Sequence, residues 1–252
     1  MTPLYFLADL TWREVAALAH RTNLALVPCG ATEAHGPHLP LQTDVIIAQG
    51  ACRRAALQLA REEIFCAIAP PFAYAVTNFG MPFAGTVSIP EVTLTQLVVS
   101  VCESLATHGF TRIVFSNHHL EPANINAIKT GARQVTESGI ARVAVPDVRE
   151  ARWAATLTAE FRAGSRHAGS YETSLVMAER LDLVREDQRR DLKPVWIDLP
   201  QKIRDGARTF KDAGSELAYF GDPARASIEE GEKIFDALAL MLVTTVKELM
   251  RE

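Results

Sequence analysis

Four side chains that can bind a divalent metal follow the first strongly apolar run of the chain: Glu33, His35, His38 and Asp44. The apolar run, Leu24–Val27, predicts a buried strand, and the proline and glycine directly after it predict a loop. Functional side chains commonly lie on such loops, because the strand is rigid and the loop is free to vary. The stretch from Leu24 to Asp44 therefore predicts a metal site with two or more ligands from this loop.

Two further polar clusters stand at the ends of predicted elements. The cluster Asn117–Glu121 (NHHLE) follows a predicted strand, and His167–Ser174 (HAGSYETS) leads into an apolar helix. Five of the seven histidines of the chain lie in the three clusters, namely His35, His38, His118, His119 and His167. Packing alone does not explain this concentration, so the clusters are expected to meet in one site.

The ligand types in these clusters indicate which metals they can hold. Imidazole and carboxylate without thiolate favour Zn, Mn, Fe or Co over a structural cysteine-rich zinc site. Glu33 and His35 lie two residues apart, as do His119 and Glu121, so each pair points to one side of an extended segment. Asp44 can bridge two metals, and a water between them would act as a hydroxide nucleophile at neutral pH.

Each of these residues also has a structural interpretation. Asp44 stands where a helix is predicted to begin and can cap it. His38 can donate to a backbone carbonyl, and His118 can form a pocket wall or lie on the surface. Glu172 can be an ordinary first-turn acid that faces the helix dipole. Trp153, at helical spacing, can belong to the core. Only the joint occurrence of the clusters favours the metal site.

The elements that must position the clusters alternate between strand and helix. The predicted strands are Leu24–Val27, Ile64–Ala69, Arg112–Ser116 and Ala141–Val145. The predicted helices include Trp12–Ala19 with a capping box at Thr11, Val45–Arg61, Thr93–His108 with Thr93 as cap, Pro122–Glu137, and a last helix that ends near Met250. This alternation predicts one α/β domain over residues 1–252, with a mostly parallel sheet and helices on both faces.

One further helix is predicted, and two segments lack a strong helical or strand period. A helix is expected to contain Trp153 and Phe161. The segment Phe72–Pro90 is rich in glycine, proline and aromatic residues, which predicts a functional loop, a substrate lid or an oligomer contact. The segment Arg185–Phe220 is polar and is predicted to be surface coil with short pieces of structure.

Composition argues against several classes of protein. The formal net charge is -4 and no basic block occurs, so nucleic acid and membrane surfaces are not expected partners. No apolar run reaches the roughly 20 residues of a membrane span, and no basic n-region of a secretory signal is found. The four cysteines form no CxxC motif and lie in apolar surroundings; this favours buried reduced thiols, Cys29 included, in a cytoplasmic protein.

The segment Gly30–Asp44 (GATEAHGPHLPLQTD) resembles a defining block of the creatininase (creatinine amidohydrolase) family. The clusters Asn117–Glu121 and His167–Ser174 are similar to the family's Asn-Gly-His and His-Ala-Gly-x-x-Glu-Thr-Ser blocks. Phe83–Ser88 (FAGTVS) looks like a looser version of its Phe-Pro-Gly-Thr-x-Ser loop. The blocks are collinear, so the resemblance spans roughly residues 8 to 248.

The resemblance implies a three-layer α/β/α fold with two divalent metal ions per subunit, Zn, Mn or similar. The residues that match the family's ligands are Glu33, His35, Asp44, His119 and Glu121. In that set Asp44 would bridge, Glu33 and His119 would serve one metal, and His35 and Glu121 would serve the other. Among catalytic residues, His167 matches a histidine that shuttles protons beside the substrate. Glu172 would be a further ligand or would support one.

The expected substrate pocket departs from creatininase at four positions. His118 stands where the family has glycine, Leu120 where creatininase has tyrosine, and Arg166 where it has glutamate. Trp153 is not accompanied by the second tryptophan that creatininase has. These differences leave the metal chemistry intact and argue against creatinine as the substrate.

The function implied by the resemblance is that of a metal-dependent amidohydrolase that cleaves a C–N bond of a small cyclic or linear amide. A hydroxide between the two metals would attack the carbonyl, and His167 would protonate the leaving nitrogen. The alternatives are a formamide, a lactone or a peptide bond as the target in the same fold, and a non-catalytic metal-binding assembly protein. The family also implies a homo-oligomer, commonly a hexamer.

Overall fold

The structure is a computed structural model that describes residues 4–251. Residues 1–3 and 252 of the predicted single domain lie outside the described residues. The strands are β1 (Tyr5–Phe6), β2 (Leu24–Cys29), β3 (Ala67–Ile68), β4 (Arg112–Asn117) and β5 (Arg142–Ala144). The helices are α1 (Trp12–Ala19), α2 (Thr43–Ala60), α3 (Glu91–Thr107), α4 (Pro122–Glu137), α5 (Ala151–Ala154), α6 (Ala159–Arg162), α7 (Ser170–Arg180), α8 (Glu186–Asp191), α9 (Leu199–Arg204) and α10 (Ile228–Arg251). Short 3-10 turns lie at Leu7–Asp9, Leu181–Leu183 and Pro223–Arg225.

The strands form one parallel sheet in the order β1-β3-β2-β4-β5. The chain leaves the central strand β2 for β3 on one side, then crosses to β4 on the other side. The loops that follow β2 and β4 therefore separate at a topological switch point, where ligands bind in open α/β sheets. The two polar clusters after these strands lie at this point.

Alternate residues of the central strands pack against different helices, which gives three layers. Leu24 and Leu26 of β2 share a core cluster with buried residues of α2, α7 and α10. Val27 lies in a second and smaller core cluster, with buried residues of α3 and α4; the first is called the larger core cluster below. The predicted α/β fold, with helices on both faces of a mostly parallel sheet, is confirmed.

Local predictions were wrong at several element boundaries; the strand predicted at Ile64–Ala69, for example, is confined to Ala67–Ile68. The strand predicted to stop at Val27 runs through Cys29, because β4 pairs with it as far as Asn117. Pro28 has no N–H to donate, but its carbonyl oxygen accepts the Phe72 N–H, so it fits within the strand. Thr93 does not cap α3. The helix begins at Glu91, with Pro90 in an extended conformation as the residue before it.

The segment Arg185–Phe220 is more than surface coil. It contains α8 and α9, and its residues Leu199, Phe210 and Phe220 are buried in a cluster with Ala34. Ala34 belongs to the polar loop after β2, so this segment covers the loop on which the predicted ligands lie. The helix expected to contain Trp153 and Phe161 is two short helices, α5 and α6.

The C-terminal helix α10 is the longest helix of the described chain and packs against α2 and α7. Its buried stripe includes Ile234, Leu238 and Leu242, which belong to the larger core cluster. Within residues 4–251, no helix has both the length and the apolar character needed to cross a membrane.

Candidate metal centre

Asp44 lies at the middle of the polar cluster and contacts two imidazoles. Its Oδ1 is 3.1 Å from His35 Nε2, and its Oδ2 is 3.0 Å from His119 Nδ1. Asp44 is the second residue of α2 rather than its cap, so the capping interpretation was wrong: Gln42 precedes the helix and makes no side-chain cap. The first turn of α2 thus carries a carboxylate whose two oxygens face different partners.

Two carboxylates complete ligand groups on either side of Asp44. Glu33 Oε2 lies 3.4 Å from His119 Nδ1, and Glu172 Oε2 lies 3.6 Å from His35 Nε2. Within the described residues 4–251, three buried groups of ligand atoms result, each with all atoms within 4.8 Å of one another: Glu33, Asp44 and His119; His35, Asp44 and Glu172; Glu33, His35 and His167. The first two groups share only Asp44.

The second nitrogen of each of the two imidazoles is fixed by a backbone carbonyl. His35 Nδ1 lies 3.0 Å from the Glu33 carbonyl oxygen, and His119 Nε2 lies 2.9 Å from that of Val76. A carbonyl only accepts, so these nitrogens carry protons, and the opposite nitrogens, which face the carboxylates, are the ones that would present lone pairs to a bound metal. Metal-binding histidines are commonly oriented in this way. The donor set therefore fits a divalent cation.

The charges of the cluster give a second reason for a cation. Burial alone would lower the pKa of His35, but Asp44, Glu172 and Glu33 outweigh it and raise that pKa to about 10. Burial alone would also lower the pKa of His119, but the carboxylates of Glu33 and Asp44 outweigh it and raise that pKa. Burial raises the pKa of Glu172 to about 8. Buried carboxylates require positive charge nearby, and a divalent cation can supply it in place of these protons.

Glu121, expected from the resemblance as the partner of His35, lies outside the three ligand groups. It precedes α4, its Oε2 accepts the Phe79 N–H at 3.3 Å, and burial raises the pKa of its carboxyl. The structure brings Glu172, not Glu121, next to His35. Glu121 instead lines the cavity beside the cluster.

His167 is held between the cluster and an aromatic ring. Its Nε2 lies 2.9 Å from the Ala34 carbonyl oxygen, which fixes the proton there, and its Nδ1 lies 3.8 Å from Glu33 Oε2. The ring of Phe210 stacks on it with centroids 4.1 Å apart. Burial and His35 lower the pKa of His167 to about 4, so the ring is neutral at pH 7. Its Nδ1 can therefore accept a proton at the centre.

Phe210 is a residue of the candidate site that sequence reasoning missed. It stands alone in the polar segment predicted as surface coil, with glycines on both sides and no apolar period around it. Its place depends on the backbone bond from Phe210 N–H to the Phe79 carbonyl, a contact across more than a hundred residues that no local pattern indicates.

A cavity of about 240 Å³ opens beside the ligand groups. His118, Leu120 and Arg166, three of the four predicted pocket residues, line it together with His167. Trp153 does not line it, since its side chain is buried in the larger core cluster. His118 also contacts Ser116 Oγ at 3.2 Å through Nε2.

His38 is placed outside the ligand groups. Its Nε2 lies 2.9 Å from Thr173 Oγ1, a residue of α7. Burial, with His35 and Arg189, lowers the pKa of His38 to about 3, so the ring is neutral. The side chain ties the polar loop after β2 to α7, the helix that carries Glu172.

Comparison with known proteins gives consistent matches over most of the chain. The family model described as "Creatininase: Creatinine amidohydrolase" matches residues 8–246. The chain is 34% identical over 216 residues to the mycofactocin precursor peptide peptidase of Mycobacterium ulcerans, which covers 83% of this chain and 79% of the relative. It is 30% identical over 266 residues to the creatinine amidohydrolase of Pseudomonas putida, which covers 98% of each. The solved structure named "Creatininase Mn" has a TM-score of 0.75 and 25% identity over 98% of both chains.

Proposed function

The chain belongs to the creatininase family of hydrolases, and on that premise we propose that it is a metal-dependent amidohydrolase with a dinuclear metal centre. The observation that carries the proposal is the position of Asp44. Its two oxygens face imidazoles of two separate ligand groups, at 3.1 and 3.0 Å. A carboxylate shared in this way suits a bridge between two metals.

The proposed ligand set differs by one residue from the set that the resemblance implied. Glu33, Asp44 and His119 hold one ion, and His35, Asp44 and Glu172 hold the other. Glu172 takes the place of Glu121 because its carboxylate lies 3.6 Å from His35 Nε2. Imidazole and carboxylate donors accept Zn and Mn alike, and the names of two solved creatininases, one with Mn and one of Zn-Zn type, support both metals equally.

Divalent ions at such a centre lower the pKa of a coordinated water and polarise a carbonyl oxygen. His167 supplies the proton transfer: its neutral Nδ1 takes a proton as water adds to the amide carbon, and returns it to the leaving nitrogen. One C–N bond breaks and one C–O bond forms, so water is the only co-reactant. Phe210 and the Ala34 carbonyl hold the His167 ring in place. Leu120 and Leu199 give the cavity apolar walls.

The amide cleaved is a small cyclic or linear one, and a peptide bond is the second candidate. The observation that favours the peptide bond is the 34% identity to a relative named as a precursor peptide peptidase, against 30% to the creatinine amidohydrolase.

The proposal is tested with purified protein that has been stripped of metal and then loaded with Zn or with Mn. Metal per chain is measured by mass spectrometry, and hydrolysis is measured on small amides, lactams and short peptides. We expect two ions per chain and hydrolysis of at least one class. In Asp44→Asn we expect both to fall, with turnover reduced by about 1,000-fold or more. Two ions retained by Asp44→Asn, or two ions without hydrolysis of any class, would contradict the proposal.

We also propose that the protein is a cytoplasmic homo-oligomer. Its four cysteines are free and buried, which suits a reducing compartment. The segment Phe72–Pro90 exposes Tyr74, Met81 and Val87 by 55, 52 and 42%, and such apolar side chains are typical of a subunit contact. Sedimentation equilibrium measures the stoichiometry, for which family resemblance predicts a hexamer. A monomer at micromolar concentration would contradict this part.

A further inference from the structure

Three arginines line the cavity beside the proposed metal centre: Arg149, Arg166 and Arg204. Their charges are not equally compensated. Arg149 donates to both carboxylate oxygens of Asp147, at 2.9 and 2.8 Å. Arg204 lies on the exposed side of α9 and donates to the neutral Gln201. If the proposed metal ligands are set aside, the side chains that line the cavity therefore carry more positive than negative charge.

Arg166 is the least hydrogen-bonded of the three. It is half-buried, its Nε donates to the Phe161 carbonyl at 2.8 Å, and its guanidinium lies 4.5 Å from the centroid of the Phe161 ring. Among residues 4–251, neither of its terminal nitrogens has a hydrogen-bond or ion-pair partner. Glu121 also lines the cavity and lies outside the ligand groups. Within the described residues it forms no ion pair with Arg166.

The surroundings of Arg166 make this arrangement costly for the protein alone. Burial and the charge of Arg149 lower its pKa, and the charges of Asp198 and Asp147 offset this only in part. A guanidinium that is partly removed from water, close to another cation, is unfavourable unless an anion joins it. Phe161 fixes the side chain, so the two free nitrogens are held in position at the cavity.

We propose that the substrate carries a carboxylate close to the scissile amide, and that Arg166 binds it through its two free terminal nitrogens. A guanidinium offers two parallel N–H donors that match the two oxygens of a carboxylate. Arg149 and Arg204 add positive potential, and Phe79, Leu199 and Ile203 offer apolar contacts for the rest of the molecule. An N-acyl amino acid and the C-terminal end of a short peptide both present this chemistry. The inference rests on the proposed hydrolase function and names its substrate class.

The test compares each free acid with its neutral amide in two matched pairs. The first pair is N-acetyl-leucine and N-acetyl-leucinamide, and the second is acetyl-alanyl-leucine and its C-terminal amide. Released amine is identified by mass spectrometry with the Zn-loaded enzyme. We expect kcat/KM for the acids to exceed that for the amides by about 100-fold, because a bound amide would leave the charge of Arg166 unpaired in the site. The pair that is cleaved faster distinguishes the two sources of the carboxylate.

Variants of Arg166 then separate recognition from folding. In Arg166→Gln we expect the preference for acids to fall to about threefold or less, because kcat/KM falls for the acids, through a rise in KM, far more than it does for the amides. Arg166→Lys keeps the positive charge but lacks the two parallel N–H donors of the guanidinium, so it should retain part of the preference. Arg61→Gln, at an exposed position outside the cavity, should leave the preference as in the parent.

Three outcomes overturn the inference while the hydrolase proposal stands: equal hydrolysis of acids and amides, an equal loss for both in Arg166→Gln, or full preference retained in that variant. If no probe is cleaved, calorimetric binding of N-acetyl-leucine to the Zn-loaded protein decides instead. A loss of affinity of about 10-fold or more in Arg166→Gln supports carboxylate binding, and unchanged affinity overturns it. Failure of the hydrolase proposal is recognised separately, by metal content together with the wider set of amides.

Discussion

Glu172 Oε2 lies 3.6 Å from His35 Nε2 and also accepts the Ala168 N–H at 2.6 Å. Ala168 has a φ of 50°, in the left-handed region, which is uncommon for a residue with a Cβ. This conformation turns its N–H back towards the first turn of α7, where Glu172 lies. A locally strained backbone therefore fixes the carboxylate that completes the second ligand group.

Glu172 and Glu121 are predicted to differ in their effect on metal content. Glu172→Gln removes a proposed ligand charge at nearly constant size, so we expect the affinity for one of two ions to fall by at least about 100-fold. Glu121→Gln is the matched control and should keep both ions. Titration against a chelator measures the two affinities. The reverse pattern would restore the ligand set that the family resemblance implied.

Local patterns in the sequence predict that the residues of the first ligand group lie close together, and the family resemblance implied that they serve one metal. Glu33 and Asp44 bracket the loop after β2, and His119 follows β4; the ends of neighbouring parallel strands meet by necessity. The choice between Glu121 and Glu172 is different. Both stand at a strand end or helix start, and only the packing of α7 against α2 decides which one reaches His35. That packing is tertiary and leaves no local signal.

The same limit applies to the wall of the cavity. The switch point of the sheet follows from the alternation of strands and helices, which the apolar periodicity indicates. Phe210 reaches the site from a segment whose polar composition predicted surface coil. Trp153, expected at the substrate from the resemblance, is in the core because α5 is a single turn packed on it. The helical spacing of Trp153 had allowed this core position, so Phe210, whose place is set by long-range packing, is the residue that the sequence pattern misplaced.

His167 is predicted to serve proton transfer rather than metal binding. His167→Ala should keep both ions and lower kcat by about 100- to 10,000-fold, the usual contribution of a general acid–base. Addition of imidazole should restore part of the turnover, because the space beside Phe210 is left open. Metal content and kcat are measured on the same preparation. Loss of an ion would instead assign His167 to the third ligand group, with Glu33 and His35.

Phe210 is predicted to act through the His167 ring. Its ring stacks at 4.1 Å with an interplanar angle of 28°, and such a contact orients a side chain with about 1 kcal/mol. Phe210→Ala should therefore lower kcat by about fivefold while metal content stays the same. Phe210→Leu keeps much of the bulk and should lose less. Equal activity of Phe210→Ala and the parent enzyme would contradict this positioning role.

His38 is predicted to make stability depend on pH between neutrality and mild acid. Its folded pKa of about 3 lies below the ordinary 6.5, because the ring is buried, with His35 and Arg189 nearby. The unfolded chain therefore binds the extra proton first, so this contribution to stability is full above pH 6.5 and is lost as pH falls towards 3. At pH 5 the loss is about 2 kcal/mol, from 1.36 kcal/mol per pH unit.

His38→Gln cannot titrate, and its amide can still bond Thr173. Urea unfolding with a chelator present, at pH 7 and pH 5, gives the free energy of unfolding of both proteins. The parent should lose about 2 kcal/mol more than His38→Gln over this range, and an equal loss in both would mean that another group carries the acid sensitivity.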